Sequence, residues 1–411
     1  MRAEARWRLF LPCAAGVEAL LCDEIGRLLP ATPVQARRGG VTLSTDHAGM
    51  MQLNLGSRLA QRVLLQLGDG PYRDEAELYA LARRVDWSQW ITARHTLRVD
   101  TTAQRSPLRS LNFAALRIKD AVCDQLRERV GERPDVDTRQ PDLPLLLHLG
   151  EQRATLYLDT SGEALFKRGW REDKGDAPLK ETLAAAMLAA ASWGGTRESG
   201  GALHDPCCGS GTIAIEAAQI ACGIAPGLKR RFAFERLLPF ATPEMRALLQ
   251  RLRSQAQARV HAPAVPIFAS DVSFRMLDFA RRNAQRAGVA QAIDFHGGDA
   301  LERPAPLLPP DMHGTLMLNP PYGARIDVAG KAARPSAEDR DTPGDFFQRL
   351  AAHWKRAYTQ HPAGWTAWVL SPDMKLPGAM RLKASLRVPM WNGPIECRLY
   401  RFELVAGSAR G

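Results

Sequence analysis

The chain has 411 residues, 45% hydrophobic and 24% charged; it is too long for one ordinary domain and apolar enough for real cores, which excludes a disordered protein. Its formal net charge of +11 suggests a polyanionic partner such as nucleic acid, although an arginine-rich proteome would bias many proteins the same way. The seven cysteines (Cys13, Cys22, Cys123, Cys207, Cys208, Cys222, Cys397) show no C-x-x-C pair and no ligand spacing with histidine, so reduced thiols in a cytoplasmic protein are expected, without disulfides or metal.

The start, MRAEARWRLFLPCAAGV, has the basic opening of a signal peptide, but Glu4, Glu18 and the amphipathic pattern that follows argue against one. No run reaches the roughly 18 apolar residues of a spanning helix, so no membrane partner is expected. Within residues 1–67, WRLFLP reads as a strand, VEALLCDEIGRLL as a helix and GGVTLSTD as a strand after a Gly-Gly turn. MMQLNLGSRLAQRVLLQLG repeats apolar residues at three and four spacing and reads as one helix. Over 68–171, ELYALARRV and FAALRIKDAVCDQLRERV read as helices and HTLRVDTTA, PLLLHLG and RATLYLDT as strands, an α+β order. The polar stretch SGEALFKRGWREDKGDAPLKE closes this unit. Its Lys167, Arg168, Trp170, Arg171 and Lys174 fit either a solvated linker or an RNA-facing strip.

From about Leu179 short apolar strands alternate with helices, the sign of a parallel α/β sheet. GIAPGLKRRFAFERLLPF through HAPAV interrupts the alternation once, and the polar segment from Asp327 to Asp345, read as a mobile loop, interrupts it again. In HDPCCGSGT a short strand leads into the helix IAIEAAQIA. Gly209 and Gly211 would let backbone amides approach a ligand, and Asp205 could accept from a cationic or hydroxyl group. No G-K-[ST] follows, so this is not a phosphate loop. Asp271 ends the strand PIFAS, where an acid suits a ribose diol or caps the next helix. Asp299 falls where the following strand should end, and could take an adenine amine or simply make a turn. TLMLNPPYGAR presents Asn319, Pro320, Pro321 and Tyr322 at the end of a buried strand: an amide, rigid carbonyls and an aromatic face, which together could grip a planar amine. Each signal is modest, but successive strand ends in this order make one crevice, where open α/β sheets bind ligands.

These residues, DPCCGSGTIAIEAA (205–218) with Asp271, Asp299 and Asn319-Pro320-Pro321-Tyr322, resemble the ordered motifs of class I S-adenosylmethionine-dependent methyltransferases acting on amino groups. NPPYGAR, IAPGLKRRFAFE and PMWNGPIECRLYRFEL further resemble the bacterial large-subunit (23S) ribosomal RNA guanine-N2 methyltransferases. The resemblance implies a Rossmann-like catalytic domain with a seven-stranded, mostly parallel sheet at 172–411. An α+β region would precede it: a ferredoxin-like unit (1–67) and a THUMP RNA-binding domain (68–171). S-adenosylmethionine would lie over Asp205, Pro206, Cys207, Gly209, Ser210, Gly211 and Thr212, with its ribose on Asp271 and its adenine near Asp299 and Ala300. Asn319, which also borders the cofactor, would act with Pro320, Pro321 and Tyr322 on the target amine. The implied partner is large-subunit rRNA, free or in a ribosomal precursor. Cys207 stands where relatives more often carry a larger apolar residue. With no second methyltransferase domain in the sequence, one methylation activity is expected.

Asn-Pro-Pro-Tyr also serves methylation of adenine N6 in DNA and of glutamine side chains, but the RNA-binding front half and the WNGPIECRL ending oppose both. A transfer-RNA guanosine is a closer rival. An RNA-binding assembly factor with a vestigial cofactor site is the non-enzymatic alternative. His204, His296 and His313 show no ligand spacing and read as packing or surface residues. The arginines of the helix MLDFARRNAQRAG read as mostly a solvated face.

Overall fold

The structure, a computed structural model, describes residues 6–175, 178–320 and 343–404. They form two compact units that do not follow sequence order: residues 21–165 with 227–255 and the N-terminal strand, and residues 166–226 with 256–404 and the short piece 14–20.

The first unit is built on one eight-stranded sheet. Its elements are β1 (Trp7–Pro12), α1 (Glu18–Leu28), β2 (Val34–Arg37), β3 (Gly40–Thr45), α2 (His47–Gly56), β4 (Leu64–Pro71), α3 (Glu75–Arg83), β5 (Thr96–Ala103), α4 (Leu111–Val130), β6 (Asp135–Val136), β7 (Leu143–Leu149) and β8 (Arg153–Asp159). The strands lie in the order β2-β3-β1-β4-β8-β7-β5-β6. β4 therefore joins the ferredoxin-like strands to the later ones. The single helix expected over MMQLNLGSRLAQRVLLQLG is instead α2, a loop and β4. The helix stops because buried Glu24 competes for its continuation: it accepts the Ser57 hydroxyl (2.6 Å) and the backbone N–H of Arg58 (2.8 Å) and Leu59 (3.3 Å). Ser57 is left extended, and the apolar run beyond pairs with β1 and β8.

The second unit contains α5 (Glu181–Ala190), β9 (Ala202–Asp205), α6 (Thr212–Ala221), the end of α7 (Pro243–Gln257), β10 (Ile267–Asp271), α8 (Phe274–Ala287), β11 (Ile293–Gly297), β12 (Gly314–Leu318), α9 (Pro343–Ala357), β13 (Trp365–Ser371), α10 (Leu376–Met380), β14 (Leu386–Asn392) and β15 (Ile395–Leu404). Its seven strands run β11-β10-β9-β12-β13-β15-β14, all parallel except β15. This is the Rossmann-like sheet expected from the sequence. The chain lays β10 and β11 on one side of β9, then returns to lay β12 and β13 on the other. The strand order thus reverses between β9 and β12, the place where ligands bind in open α/β sheets.

Residues 227–255, including most of α7, leave the second unit's chain and pack within the first. Buried Phe232, Phe234 and Phe240 form an aromatic group there, with ring centroids 5.2–5.5 Å apart along the chain of contacts, and Phe240 meets Trp7 edge-on at 5.3 Å.

Candidate active site

The register of the parallel strands shapes the site. Asp205, at the end of β9, lies level with Ala269 of β10, two residues before Asp271. On the other side Leu316 of β12 lies level with His204, so Asn319 also stands two residues above Asp205. At about 3.3 Å per residue, β9 ends in a recess roughly 7 Å below its neighbours. The loop 206–211 turns in that recess.

Gly209 and Gly211 have φ of +52° and +88°, backbone that side-chain-bearing residues rarely adopt. Gly211 opens α6 close against Ala280, whose Cβ is 3.0 Å from where a side chain would begin. Above Gly209 the same position is open, with only the Met276 methyl at 4.0 Å. The Gly209 N–H donates to Asp271 (2.8 Å), and the Ser273 N–H donates to its other oxygen (2.9 Å). The cap of α8 is therefore Ser273, whose hydroxyl accepts from Met276, and not Asp271. Asp299 sits two residues past β11 and accepts from the Leu301 N–H (2.9 Å), and Ala300 beside it is buried. Burial pushes the carboxyls of Asp205 and Asp271 above the usual range; at Asp205 the shift is large, and the negative Asp271 adds to it. A buried carboxyl facing a ligand recess is completed by a cationic or hydroxyl-bearing group. Burial likewise pushes the thiols of Cys207 and Cys208 well up, so both stay protonated and unreactive.

Asn319 follows β12 directly, and among the described residues its side-chain oxygen is buried without a hydrogen-bond partner. Such an atom costs about 1–3 kcal/mol unless a donor meets it. Pro320 is buried behind it. Pro321, Tyr322 and the greater part of the expected loop from Asp327 lie outside the described residues.

Arg168, Trp170 and Arg171 do not face RNA. Trp170 is buried, and Arg168 pairs with the fully buried Glu216 at 3.0 Å. Arg171 donates to Glu181 (2.8 Å), the Leu179 carbonyl (3.0 Å), the Ser210 hydroxyl (3.0 Å) and the Thr212 hydroxyl (2.8 Å). Their aliphatic stems and fixed donor forks suit inward pairing with carboxylates. Lys167 and Lys174 of the same stretch are exposed. The arginines of α8 are also more engaged than a solvated face requires: Arg286 donates to the Trp170 carbonyl (2.9 Å) and to Asp173, which Arg282 also reaches. Buried Asn283 joins both sides, donating to the Ser210 carbonyl (3.0 Å) and the Asp173 carbonyl (2.8 Å). Sequence reasoning missed these positioning roles, and it missed the exposed Val272 and Phe274 just beyond Asp271.

The three histidines hold no shared ligand. His204 is buried in β9 between the Tyr358 hydroxyl (3.0 Å) and the Ser270 hydroxyl (3.3 Å), with burial depressing its pKa to about 3. His296 pairs with Asp294, and His313 lies before β12, at the opposite end of the sheet from the recess.

Comparison with known proteins agrees with this geometry. Residues 168–401 match the family model described as RMKL-like, methyltransferase domain; residues 72–159 match the THUMP domain and 8–64 the RlmL ferredoxin-like domain. The chain is 35% identical to the ribosomal RNA large subunit methyltransferase K/L of Aeromonas hydrophila and 36% identical to that of Syntrophotalea carbinolica. The alignments cover 97% and 98% of this chain, which spans about half (54%) of each relative's length. Among solved structures, SMU.472, crystallised with SAH, superposes with a TM-score of 0.82 at 26% identity, covering 97% of this chain and 98% of that one. A protein of Clostridium difficile 630 gives 0.81 at 27%, with the same coverage. Class I methyltransferases draw their methyl group from S-adenosylmethionine. The open face of Gly209 and the buried acids of the recess fit that cofactor. With its matched methyltransferase region covering more than half of its length, the chain belongs to the RMKL-like methyltransferase-domain family.

Proposed function

We propose that this chain transfers a methyl group from S-adenosylmethionine to the exocyclic N2 of a guanosine in large-subunit ribosomal RNA. The observation that carries the reading is the buried, unpartnered oxygen of Asn319 at the rim of the recess. A guanine amine is planar and weakly nucleophilic, because its lone pair is delocalised into the ring. The Asn319 oxygen and the Pro320 carbonyl accept its two hydrogens and favour a pyramidal nitrogen whose lone pair points into the recess. Tyr322 stacks on the base, a contact worth about 1–3 kcal/mol.

The loop Pro206–Thr212 with Asp205 holds the methionine end of the cofactor, Asp271 the ribose, and Asp299 with Ala300 the adenine. The sulfonium supplies an activated methyl group when bound, so no side chain has to act as a strong base. The protein's work is alignment of the amine and exclusion of water. A duplex hides the amine, so the guanosine is presented flipped or unpaired. The relatives' names favour large-subunit rRNA, and the THUMP match at 72–159 supplies an RNA-binding domain ahead of the catalytic one.

The test is methyl transfer from labelled S-adenosylmethionine to undermodified large-subunit rRNA and to tRNA, followed by nucleoside analysis. N2-methylguanosine in the rRNA is expected. Asn319→Ala should lower kcat at least 10²-fold, as loss of one preorganised polar contact does in other enzymes. Label in tRNA alone would move the substrate. Cofactor binding without label in either RNA would refute the enzymatic reading.

A further inference from the structure

The far side of the sheet extends beyond the site. β13 ends at Ser371, level with Arg398 of β15. β15 begins three residues earlier, at Ile395, with only β14 beside it: Met390, Trp391 and Asn392 pair with Cys397, Glu396 and Ile395. β14 and β13 both run antiparallel to β15, so they run parallel to each other. The turn at Gly393 and Pro394 therefore lies at the same sheet edge as Asn319. At about 3.4 Å per residue the β14–β15 ribbon stands roughly 10 Å beyond the end of β13. The ribbon is braced at its base. Gly16, with φ +84°, lies so close to it that a side chain there would begin 2.3 Å from the Pro389 carbonyl and 3.3 Å from the Trp391 ring.

Large apolar side chains of this unit are exposed along that edge. Val272 and Phe274 follow β10 on the cofactor side of Asn319; Met374 (46% exposed) follows β13, and Ile395 (43%) follows the turn, both on the other side. The cofactor half of the recess cannot cover Met374 and Ile395, because β12 and β13 lie between. Residues 372–404 carry six Lys and Arg against three Asp and Glu, and Arg401 is paired with Glu403 at 2.8 Å. Glu396 is held by Arg398 at 2.7 Å; Lys375 is exposed beside Met374, and Arg387, also exposed, pairs with Tyr400, about 17 Å down β14 from the Asn392–Ile395 pair. Apolar contacts beside exposed cations suit a strand of nucleotides, with bases on the first and phosphates on the second.

We propose that the ribbon and the loop after β13 form a wall on which the RNA nucleotides flanking the target pack. Met374 and Ile395 touch bases, Lys375 touches a phosphate beside them, and Arg387 touches a phosphate farther along the strand. The inference rests on the RNA-methyltransferase reading above and adds the surface that positions the target strand over Asn319.

The experiment uses the full chain. In Met374→Ser/Ile395→Ser, KM for undermodified rRNA should rise about tenfold, with S-adenosylmethionine affinity, measured by calorimetry, unchanged. In Lys375→Ala/Arg387→Ala, the dependence of log KM on log salt should become shallower by about 1.4, two single-strand phosphate contacts. Benzoylphenylalanine placed at Ile395 should crosslink to nucleotides adjoining the methylated one. Unchanged KM in both double variants, or crosslinks only far from the methylated nucleotide, would overturn the wall. The crosslink map is read around whichever nucleotide carries the label. A methyl group on an atom other than guanine N2 would thus count against the proposed function alone.

Discussion

Two basic stretches bury their arginines against different acceptors. Glu163–Glu181 and Gly227–Phe240 each interleave basic residues with aromatics, and each sends an arginine inward. In the first, Arg168 and Arg171 meet carboxylates, Glu216 and Glu181, and tie the strap to the glycine loop of their own unit. In the second, buried Arg230 meets backbone carbonyls, of Glu163 (2.7 Å) and Ala164 (3.0 Å). Its segment leaves the catalytic sequence to complete the core of the other unit. An arginine run marks neither RNA nor solvent by itself. What decides is whether acceptors elsewhere in the fold can take all of its donors.

The comparison breaks first, and hardest, at the excursion. If Phe234 is core to the N-terminal unit, Phe234→Ala should lower the stability of that unit by about 3–5 kcal/mol, as aromatic-to-alanine core changes do. Cofactor affinity in the other unit should hold. Residues 1–165 expressed alone should be poorly folded by proton NMR and recover when 227–255 are supplied through a linker. A well-dispersed spectrum from 1–165 alone would show that the excursion merely decorates the unit.

The strap should respond differently, through charge. Arg168→Met strands Glu216 in the core and should cost about 3–5 kcal/mol in chemical denaturation, whereas Arg168→Met with Glu216→Leu should come back close to wild type. Equal losses in single and double variants would mean that packing around Arg168, not the pair, holds the strap.

Acid should reach the two units through different groups. His204 is buried neutral with its pKa near 3, below the ordinary 6.5, so its contribution is present above pH 6.5 and lost as pH falls. Between pH 6.5 and 5 that removes about 2 kcal/mol from the catalytic unit. In the N-terminal unit, burial raises Asp159 to about 6 against the pull of Arg62. Its contribution is full below the ordinary 3.8 and lost as pH rises through 6, so the same acid step strengthens that unit. The raised carboxyls of Asp205 and Asp271 push the catalytic unit the other way, so the test is a difference: between pH 7 and 5, His204→Gln should lose less stability than wild type by about 2 kcal/mol in calorimetry, while the N-terminal transition holds or rises.

Much of this was legible in the sequence. Period-3.6 and period-2 patterns placed most helices and strands, and the site residues stand in order at strand ends because a parallel sheet puts its turns there. The failures share a cause. MMQLNLGSRLAQRVLLQLG keeps helical spacing across a loop and a strand, and only Glu24, more than 30 residues earlier, ends the helix. Ser210 lies 39 residues from Arg171 and Asp173 lies 110 residues from Asn283, so composition near them pointed outward while the fold turns them in. Glu181, ten residues from Arg171, and Asn283 were the available signals, but nothing in the linear pattern joins either of them to the glycine loop.

Arg171 gives the smallest effect and the sharpest distinction. It contacts no substrate in the proposed reaction; it holds Ser210 and Thr212 from behind the loop that carries Gly209 and Gly211. Arg171→Lys keeps the charge toward Glu181 but cannot reproduce a fork that reaches four acceptors. The loop should then order only on binding, and S-adenosylmethionine affinity should fall about tenfold, or about 1.4 kcal/mol. In the proposed reaction Asn319 holds the target amine, so kcat at saturating cofactor should change little. A mainly structural arginine would instead lower thermal stability and leave the cofactor dissociation constant alone, and an RNA-facing one would raise KM for RNA. Three readouts on one variant thus decide whether this basic stretch serves the cofactor loop, the core or the nucleic acid.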